Sequence, residues 1–366
     1  MTTTFAVMTG GGTAGHVLPA VAVADALVAR GHERSSIHFV GATRGIEARL
    51  LPPTGYPVTL FELRSFPRRL TPKNLLAAAR LTGALGRGLA LVHRLRPRVV
   101  VSVGGYASVP CVAAAVVLRV PMVVISYDAR PGRASKLAAR FAKASAVAFP
   151  SSPLPRTVVT GTPLRPEILA IEPERDRAAA RHALGLPDER FTVLVFGGSQ
   201  GSGMLNDVID AFVERHRTRT DLAVRQVIGT RNDDGRRPEL GPEGIVRQVV
   251  PYEENMALAY AAADVVLARA GASTIAELAA IGLPSILVPW KDAAEDHQTE
   301  NARSLSDRGG AVLVPEAELD VERLTTEIER LRTDPAARTA MAGAARAAGH
   351  RDAAAAVAAL VEEHAR

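Results

Sequence analysis

"MTGGGTAGHVLPAVAVADALVAR", Met8 to Arg30, joins two kinds of hydrophobic pattern through a run of glycine. Upstream, Thr4 to Met8 is apolar and β-compatible. Downstream, the apolar positions from Val17 to Leu27 recur at helical spacing. Gly10 to Gly12 therefore stand at a strand-to-helix turn. Unpaired N–H groups and the positive end of a helix dipole meet at such a turn, and glycine lets an anion come close to the backbone. A tight βα turn also needs glycine for conformational reasons alone, so this stretch leaves both readings open.

The same plan repeats outward. Strands are expected around Thr4 to Thr9, Ile37 to Gly41, Val58 to Leu63, Val99 to Val103, Met122 to Ser126 and Ser145 to Phe149, with helices between them. A proline-bearing stretch, Phe149 to Ile168, reads as a linker. After it, "RFTVLVFGGSQGSGMLNDVIDAF" is again strand, glycine turn and helix. Further strands are expected near Ala223 to Ile228, Val246 to Val250, Val265 to Leu267, Ile286 to Val288 and Ala311 to Val314. Such alternation predicts an α/β chain of two Rossmann-like domains facing across a cleft. The domains are expected at 1–163 and 164–344, with a C-terminal helix at about 345–366 packing back on the first.

The totals narrow the class. At 366 residues and 47% hydrophobic, the chain is long enough for two cores. Its one cysteine, Cys111, rules out a disulfide framework and fits a reducing cytoplasm. The start lacks the basic and apolar regions of a signal peptide. Val99 to Leu118 carries no charge and approaches a membrane span in length, yet its glycine turn divides it into a strand and a short helix. Charge is unevenly spread: up to Arg165 there are 21 Lys and Arg against five acids (Asp25, Glu33, Glu47, Glu62 and Asp128). The remainder has 23 basic and 33 acidic residues. Opposite charge implies different tasks for the two halves.

Three glycine turns occupy comparable places: Gly10 to His16, Gly104 to Ser108 and Gly197 to Gly203. Together they point to a phosphorylated ligand. None fits the dinucleotide fingerprint, because "IHFVGATRG" ends its strand without the acid that holds a ribose. His16, near a helix start, is either a neutral general base or a polar residue beside a cap. Thr274 and Glu277 have capping-box spacing, although a carboxylate there also suits two vicinal hydroxyls. "DAAEDHQTENA", Asp292 to Ala302, groups Asp296, His297, Gln298 and Asn301, either sugar-binding groups or a polar helix start capped by Asp292 or Asp296. No metal-ligand set is apparent in the sequence.

From Arg64 to Arg98 there are nine cations and no acid, interleaved with leucines. A basic amphipathic helix of this kind can lie on anionic lipid. Stacking aromatics are scarce, which argues against nucleic acid, and a helix with a solvated basic face is the plain alternative.

In this order, "GGGTAGHVLPAVAVADAL", "FVGATRGIEARLLPPTGYP", "VSVGGYASVP", "TGTPLRPEI", "FGGSQGSGMLND", "ADVVLARAGASTIAELAAIGLPSILVP" and "DHQTENA" resemble the MurG family. These are the membrane-associated GT-B glycosyltransferases of peptidoglycan synthesis, in glycosyltransferase family 28. The resemblance implies inverting transfer of N-acetylglucosamine from UDP-N-acetylglucosamine to the 4-hydroxyl of a polyprenyl-pyrophosphoryl muramyl-pentapeptide. It implies no cofactor or metal, no nucleic-acid partner, and peripheral attachment at the cytoplasmic face of the cell membrane.

Carried over by position, Arg165, Ser199 and Thr274 would hold the donor pyrophosphate, with Gln200 and Asn206 supporting that loop or the sugar. The backbone of Glu253 would read uracil, Glu277 the ribose, and His297 and Gln298 the sugar. Arg269 would steady the leaving diphosphate. Ala272, with Thr13, Ala14 and Gly15, completes the donor set, and that first turn also borders the acceptor beside Gly104, Gly105 and Tyr106. Arg68, Arg69, Lys73, Leu75, Leu76 and Arg80 would meet the membrane. His16 is the first candidate base and Asp128 the second. The family pattern breaks where His-Glu-Gln-Asn gives way to Ile125, Ser126, Tyr127 and Asp128, and where Thr162 replaces asparagine. A changed acceptor, or a sugar-nucleotide epimerase on the same fold, is the alternative reading.

Overall fold

The computed structural model describes residues 4–12, 14–63, 73–198, 201–233, 235, 239–293 and 296–366. The chain forms two compact units, Met1–Arg165 with Arg351–Arg366, and Pro166–His350.

Unit 1 is built on seven parallel strands: β1 (Ala6–Thr9), β2 (Ile37–Ala42), β3 (Val58–Phe61), β4 (Val99–Ser102), β5 (Met122–Ser126), β6 (Ala144–Val147) and β7 (Thr157–Val159). Their order is β3-β2-β1-β4-β5-β6-β7. Central strands of a parallel sheet have helices on both faces and therefore read as continuous apolar runs. Accordingly β1, β4 and β5 are buried at every residue. The covering helices are α1 (Ala14–Ala29), α2 (Glu47–Leu50), α3 (Lys73–Leu95), α4 (Val109–Val117) and α5 (Arg133–Ala139). The uncharged stretch Val99 to Leu118 thus becomes β4, a 3-10 turn at Tyr106–Ser108, and α4. Among the described residues no helix is long and apolar enough to cross a membrane. Cys111 is buried in α4, where burial pushes its thiol up to about 12.

The expected linker is corrected. Thr157, Val158 and Val159, a β-branched run, pair with β6 as an exposed edge strand, and the ladder extends through Ser145 N donating to Arg156 O at 2.9 Å.

Unit 2 comprises α6 (Pro166–Leu169), α7 (Pro173–Leu184), β8 (Phe191–Phe196), α8 (Gly203–Arg215), β9 (Leu222–Val227), β10 (Val246–Val250), α9 (Met256–Ala262), β11 (Val265–Ala268), α10 (Ala272–Ile281), β12 (Ser285–Leu287), α11 (His297–Ser306), β13 (Val312–Leu313), α12 (Val321–Thr333) and α13 (Pro335–Ala348). Its strands are also parallel, in the order β10-β9-β8-β11-β12-β13. The last helix, α14 (Ala353–Glu363), belongs to unit 1 and lies on α1. It buries Val357, Leu360 and Val361, and Glu362 pairs with Arg30 at 2.6 Å and His32 at 2.9 Å.

Asp264 ties unit 2 together just before β11. Its carboxylate accepts from Thr192 N at 2.7 Å and pairs with buried Arg181 at 2.5 Å and Arg177 at 3.4 Å. Removing one partner of a buried ion pair strands the others. Asp264→Ala should therefore lower the urea stability of unit 2 by about 3–5 kcal/mol.

Candidate functional site

In each unit the strand order reverses beside its first strand, between β1 and β4 and between β8 and β11. Turns on the two sides of such a reversal depart toward opposite faces, and the gap at the strands' carboxyl ends is where α/β sheets bind ligands. The glycine turns fall at these gaps.

In unit 1 the turn after β1 does not hold out bare N–H groups from all its glycines, as expected from the sequence. Gly10 N donates to Val40 O at 3.3 Å, Gly11 N to Gly104 O at 3.4 Å, and Gly12 N to Glu47 Oε2 at 3.0 Å. Glu47 is fully buried, and its Oε1 accepts from Ala42 N at 2.9 Å. Gly11 is required beside it: φ is +153°, and a Cβ would stand 2.5 Å from the Glu47 carboxyl carbon. Gly105, at φ +78°, would carry a Cβ 2.3 Å from Gly11 O, so the turns after β1 and β4 interlock. Neither Gly104 nor Gly105 presents a side chain here, and Tyr106 follows over Gly12.

His16 lies in the first turn of α1, half-buried. Burial lowers its pKa from 6.5 and outweighs the opposing pull of Asp128 and Glu47, so at neutral pH the imidazole is neutral. Tyr106 is held as the neutral phenol by burial and by Glu47. Of the four residues that break the family pattern, Ile125, Ser126 and Tyr127 are buried and Asp128 is half-exposed. The Tyr127 hydroxyl finds no hydrogen-bond partner among the described residues, and burial drives its pKa well above 10. Of the four, Asp128 alone keeps a partly exposed side chain. Thr162 is buried.

In unit 2, Arg269 is the arginine expected to steady the leaving diphosphate. Rather than standing free, its guanidinium is buried and committed to protein. It donates to Ser202 Oγ at 3.0 and 3.2 Å, to Val288 O at 3.3 Å and Pro289 O at 3.2 Å, and it pairs with Glu316 at 2.7 Å. Ser202 in turn caps α8 by accepting from Leu205 N at 3.4 Å. Arg269 therefore holds the glycine turn to β12 and to the Glu316–Glu318 turn. Asn206 supports the neighbouring loop, donating to Ile228 O at 3.0 Å while Gln226 Nε2 donates to its side-chain oxygen at 3.1 Å.

The capping box is also corrected. Helix α10 begins at Ala272 with Gly271 as N-cap, so Thr274 sits inside the helix and makes no cap. Glu277 instead accepts from the Tyr260 hydroxyl at 2.8 Å, which fixes the carboxylate. Glu253 is buried, paired with Arg225 at 2.6 Å and accepting from Asn255 N at 3.0 Å. Helix α11 opens on His297, and its N-cap Asp296 adopts a left-handed conformation and bonds Thr299 rather than the backbone. Gln298 Oε1 accepts from Trp290 N at 3.0 Å, and buried Asn301 donates to Ala270 O at 3.1 Å, drawing α11 to the β11 turn. Arg165 is half-buried where the units meet in sequence. Thr13, Ser199, Gln200, Arg68 and Arg69 lie outside the described residues, as do the side chains of Ala14, Lys73, Leu75, Leu76 and Arg80. Gly15 lies in the first turn of α1.

Residues 6–147 match the glycosyltransferase family 28 N-terminal domain and residues 192–357 the glycosyltransferase family 28 C-terminal domain. The chain is 38% identical to the UDP-N-acetylglucosamine--N-acetylmuramyl-(pentapeptide) pyrophosphoryl-undecaprenol N-acetylglucosamine transferase of Desulforudis audaxviator, with 94% of each chain covered. It is 41% identical to the protein of the same name from Nocardia farcinica, covering 95% of this chain and 92% of that one. The crystal structure of Acinetobacter baumannii MurG superposes with a TM-score of 0.73 at 27% identity, covering 98% and 99%. The chain belongs to glycosyltransferase family 28 and has its two-domain GT-B architecture.

Lysine cannot reproduce the five-donor fork of Arg269. Arg269→Lys is expected to lower unit 2 stability by about 2–3 kcal/mol in urea unfolding. A loss near zero would show that the guanidinium is not the strut described.

Proposed function

We propose that the chain transfers N-acetylglucosamine from UDP-N-acetylglucosamine to the 4-hydroxyl of a lipid-linked N-acetylmuramyl-pentapeptide, with inversion. The observation that carries this reading is its membership of the family over both domains, at 38–41% identity to relatives bearing that transferase name. Membership of a transferase family leaves the epimerase alternative without support.

Unit 2 holds the donor. The N-termini of α8 and α10, at the β8/β11 reversal, are suited to the diphosphate, and the family resemblance assigns Ser199, Gln200, Thr274 and Arg165 to its binding. Glu277, oriented by Tyr260, takes the ribose hydroxyls, and the backbone of Glu253 reads uracil. His297 and Gln298 hold the sugar. As UDP departs, fixed backbone dipoles stabilise its charge, a contribution that costs no reorganisation during the reaction. Arg269 acts by keeping the turn in place.

Unit 1 holds the acceptor. Neutral His16 takes the proton of the attacking hydroxyl while the oxygen bonds to the anomeric carbon and the bond to the diphosphate breaks. Asp128 stabilises the imidazolium so formed. A carboxylate in place of an amide also favours a second reading, in which the lipid-linked acceptor differs from that of the relatives.

The membrane contact is drawn from unit 1, from the basic Arg64 to Arg98 stretch and from a second group of residues in and just after α5. From the first residue of α5 to just past its end, Arg133, Leu137, Arg140 and Phe141 are exposed at helical spacing, with Leu137 52% and Phe141 56% accessible. Each large apolar side chain transferred from water contributes about 1.5–3 kcal/mol. Each cation near an anionic surface adds about 1 kcal/mol.

Transfer of labelled sugar to a short-chain muramyl-pentapeptide acceptor tests the assignment. Binding of UDP-N-acetylglucosamine without transfer would support the second reading. In the native chain kcat/KM should fall below about pH 6.5 as His16 protonates. Asp128→Asn removes a charge that raises the His16 pKa and stabilises the imidazolium, so the fall should move to lower pH and turnover should drop without being abolished. Loss of more than about a thousandfold would instead make Asp128 the base. The double change Leu137→Ser, Phe141→Ser should cut binding to anionic vesicles by more than about tenfold. Transfer to a water-soluble acceptor should be unaffected.

A further inference from the structure

We infer that Glu47 is a positioning residue for the transfer reaction, fixing the glycine turn before α1 and placing a carboxylate in the surroundings of His16. This rests on the reading of His16 as the base. Glu47 belongs to the short helix α2, 35 residues from Gly12, and its carboxylate bridges two chain segments: Gly12 N at 3.0 Å and Ala42 N at 2.9 Å. The end of β2 is thereby tied to the turn after β1.

The space around Glu47 is shaped for it. Gly11, Gly41 and Gly45 all abut the side chain, and a Cβ at each would approach to 2.5, 2.5 and 2.1 Å. Such tight packing holds the carboxylate in one place. A charge with no accessible surface is weakly screened, so it acts on its neighbours more strongly than an exposed one.

The groups facing His16 divide by origin. Glu47 comes from α2 and Asp128 from the loop after β5; both are acids and both favour the protonated imidazole. Tyr106, over Gly12, is a neutral phenol. Burial keeps His16 neutral before reaction, and the two carboxylates stabilise the cation as the proton arrives. The Glu47 carboxylate accepts from Gly12 N with one oxygen and from Ala42 N with the other. It acts through the turn and through its field, in the manner of the third group that orients a base.

A further consequence concerns the acceptor. With Gly12 N–H donating to Glu47, this part of the turn is already neutralised by an internal carboxylate, so a lipid-linked diphosphate is held elsewhere than at Gly12 N–H.

The test follows the His16 imidazole by NMR titration in the full chain, with its resonance assigned by loss in His16→Gln. Glu47→Gln keeps the shape and removes the charge. It should move the His16 midpoint down by at least about half a pH unit, a factor of about three in proton affinity. It should also lower kcat with KM for UDP-N-acetylglucosamine unchanged. An unmoved midpoint in the folded variant overturns the inference. Should Glu47→Gln fail to fold, Glu47→Asp decides: it keeps the charge while shortening the reach to Gly12. It should hold the midpoint within about 0.2 units of native yet lower kcat by about tenfold, an effect of mispositioning. Native kcat in that variant also overturns the inference. The titration needs no turnover, so a shifted midpoint in a chain that transfers no sugar would refute the proposed function and the role of Glu47 in transfer, while an unmoved midpoint in a chain that transfers sugar would refute the inference alone.

Discussion

The reversal of strand order at the first strand of each sheet governs the rest of the molecule. It places β1 between β2 and β4, and β8 between β9 and β11, so each first strand is buried along its length. It also sends neighbouring helices to opposite faces, leaving their first turns exposed together at one end of the sheet. Everything that recognises phosphate or sugar in such a fold must be arranged around that gap, because the backbone elsewhere is consumed by the ladder and by helices.

Maintaining the gap is a task for charge. Burying an ion costs several kcal/mol unless it is paired and hydrogen-bonded, so a chain that buries several has fixed their geometry closely. Glu47, and Arg269 with Glu316, each join a loop at the gap to a distant segment, and Arg247 with Gln226 and Asp210 ties β10 to β9 and α8. Hydrogen bonds to charged groups contribute roughly 1.5–3 kcal/mol, more than neutral ones, and they are directional. Apolar packing around the same glycines would offer affinity without orientation.

The legible part of this design is its local part. Strand positions followed from apolar runs, and the three turns from glycine; the family resemblance followed from motifs that are each contiguous in the sequence. Misreadings arose where a residue's partner is remote. The five-residue spacing of Glu47 from Ala42 and its contact with Gly12 carry no periodic signal, although Gly41, Gly45 and the rarity of acids in the first half mark the place. The contacts of Arg269 with Ser202 and Glu316 could not be foreseen because those partners are 67 and 47 residues away. The Thr274 to Glu277 spacing suggested a cap, but the helix begins at Ala272 and Tyr260 claims the acid. Strand β7 was hidden by the prolines around it: Thr157 to Val159 is too short for alternation to show, and only the free edge of β6 gives it a partner.

The placement of α14 has a consequence for biosynthesis. The helix covers α1 and completes the apolar core of unit 1, yet it is translated after the whole of unit 2. A nascent chain can close unit 2 as soon as its sequence clears the ribosome, while unit 1 waits with the flank of α1 uncovered. The earlier-made unit is therefore the later-finished one, and a chain interrupted beyond His350 carries one sealed core and one open to chaperones and proteases. Completion of unit 1 reports that the polypeptide has been read through to its final helix.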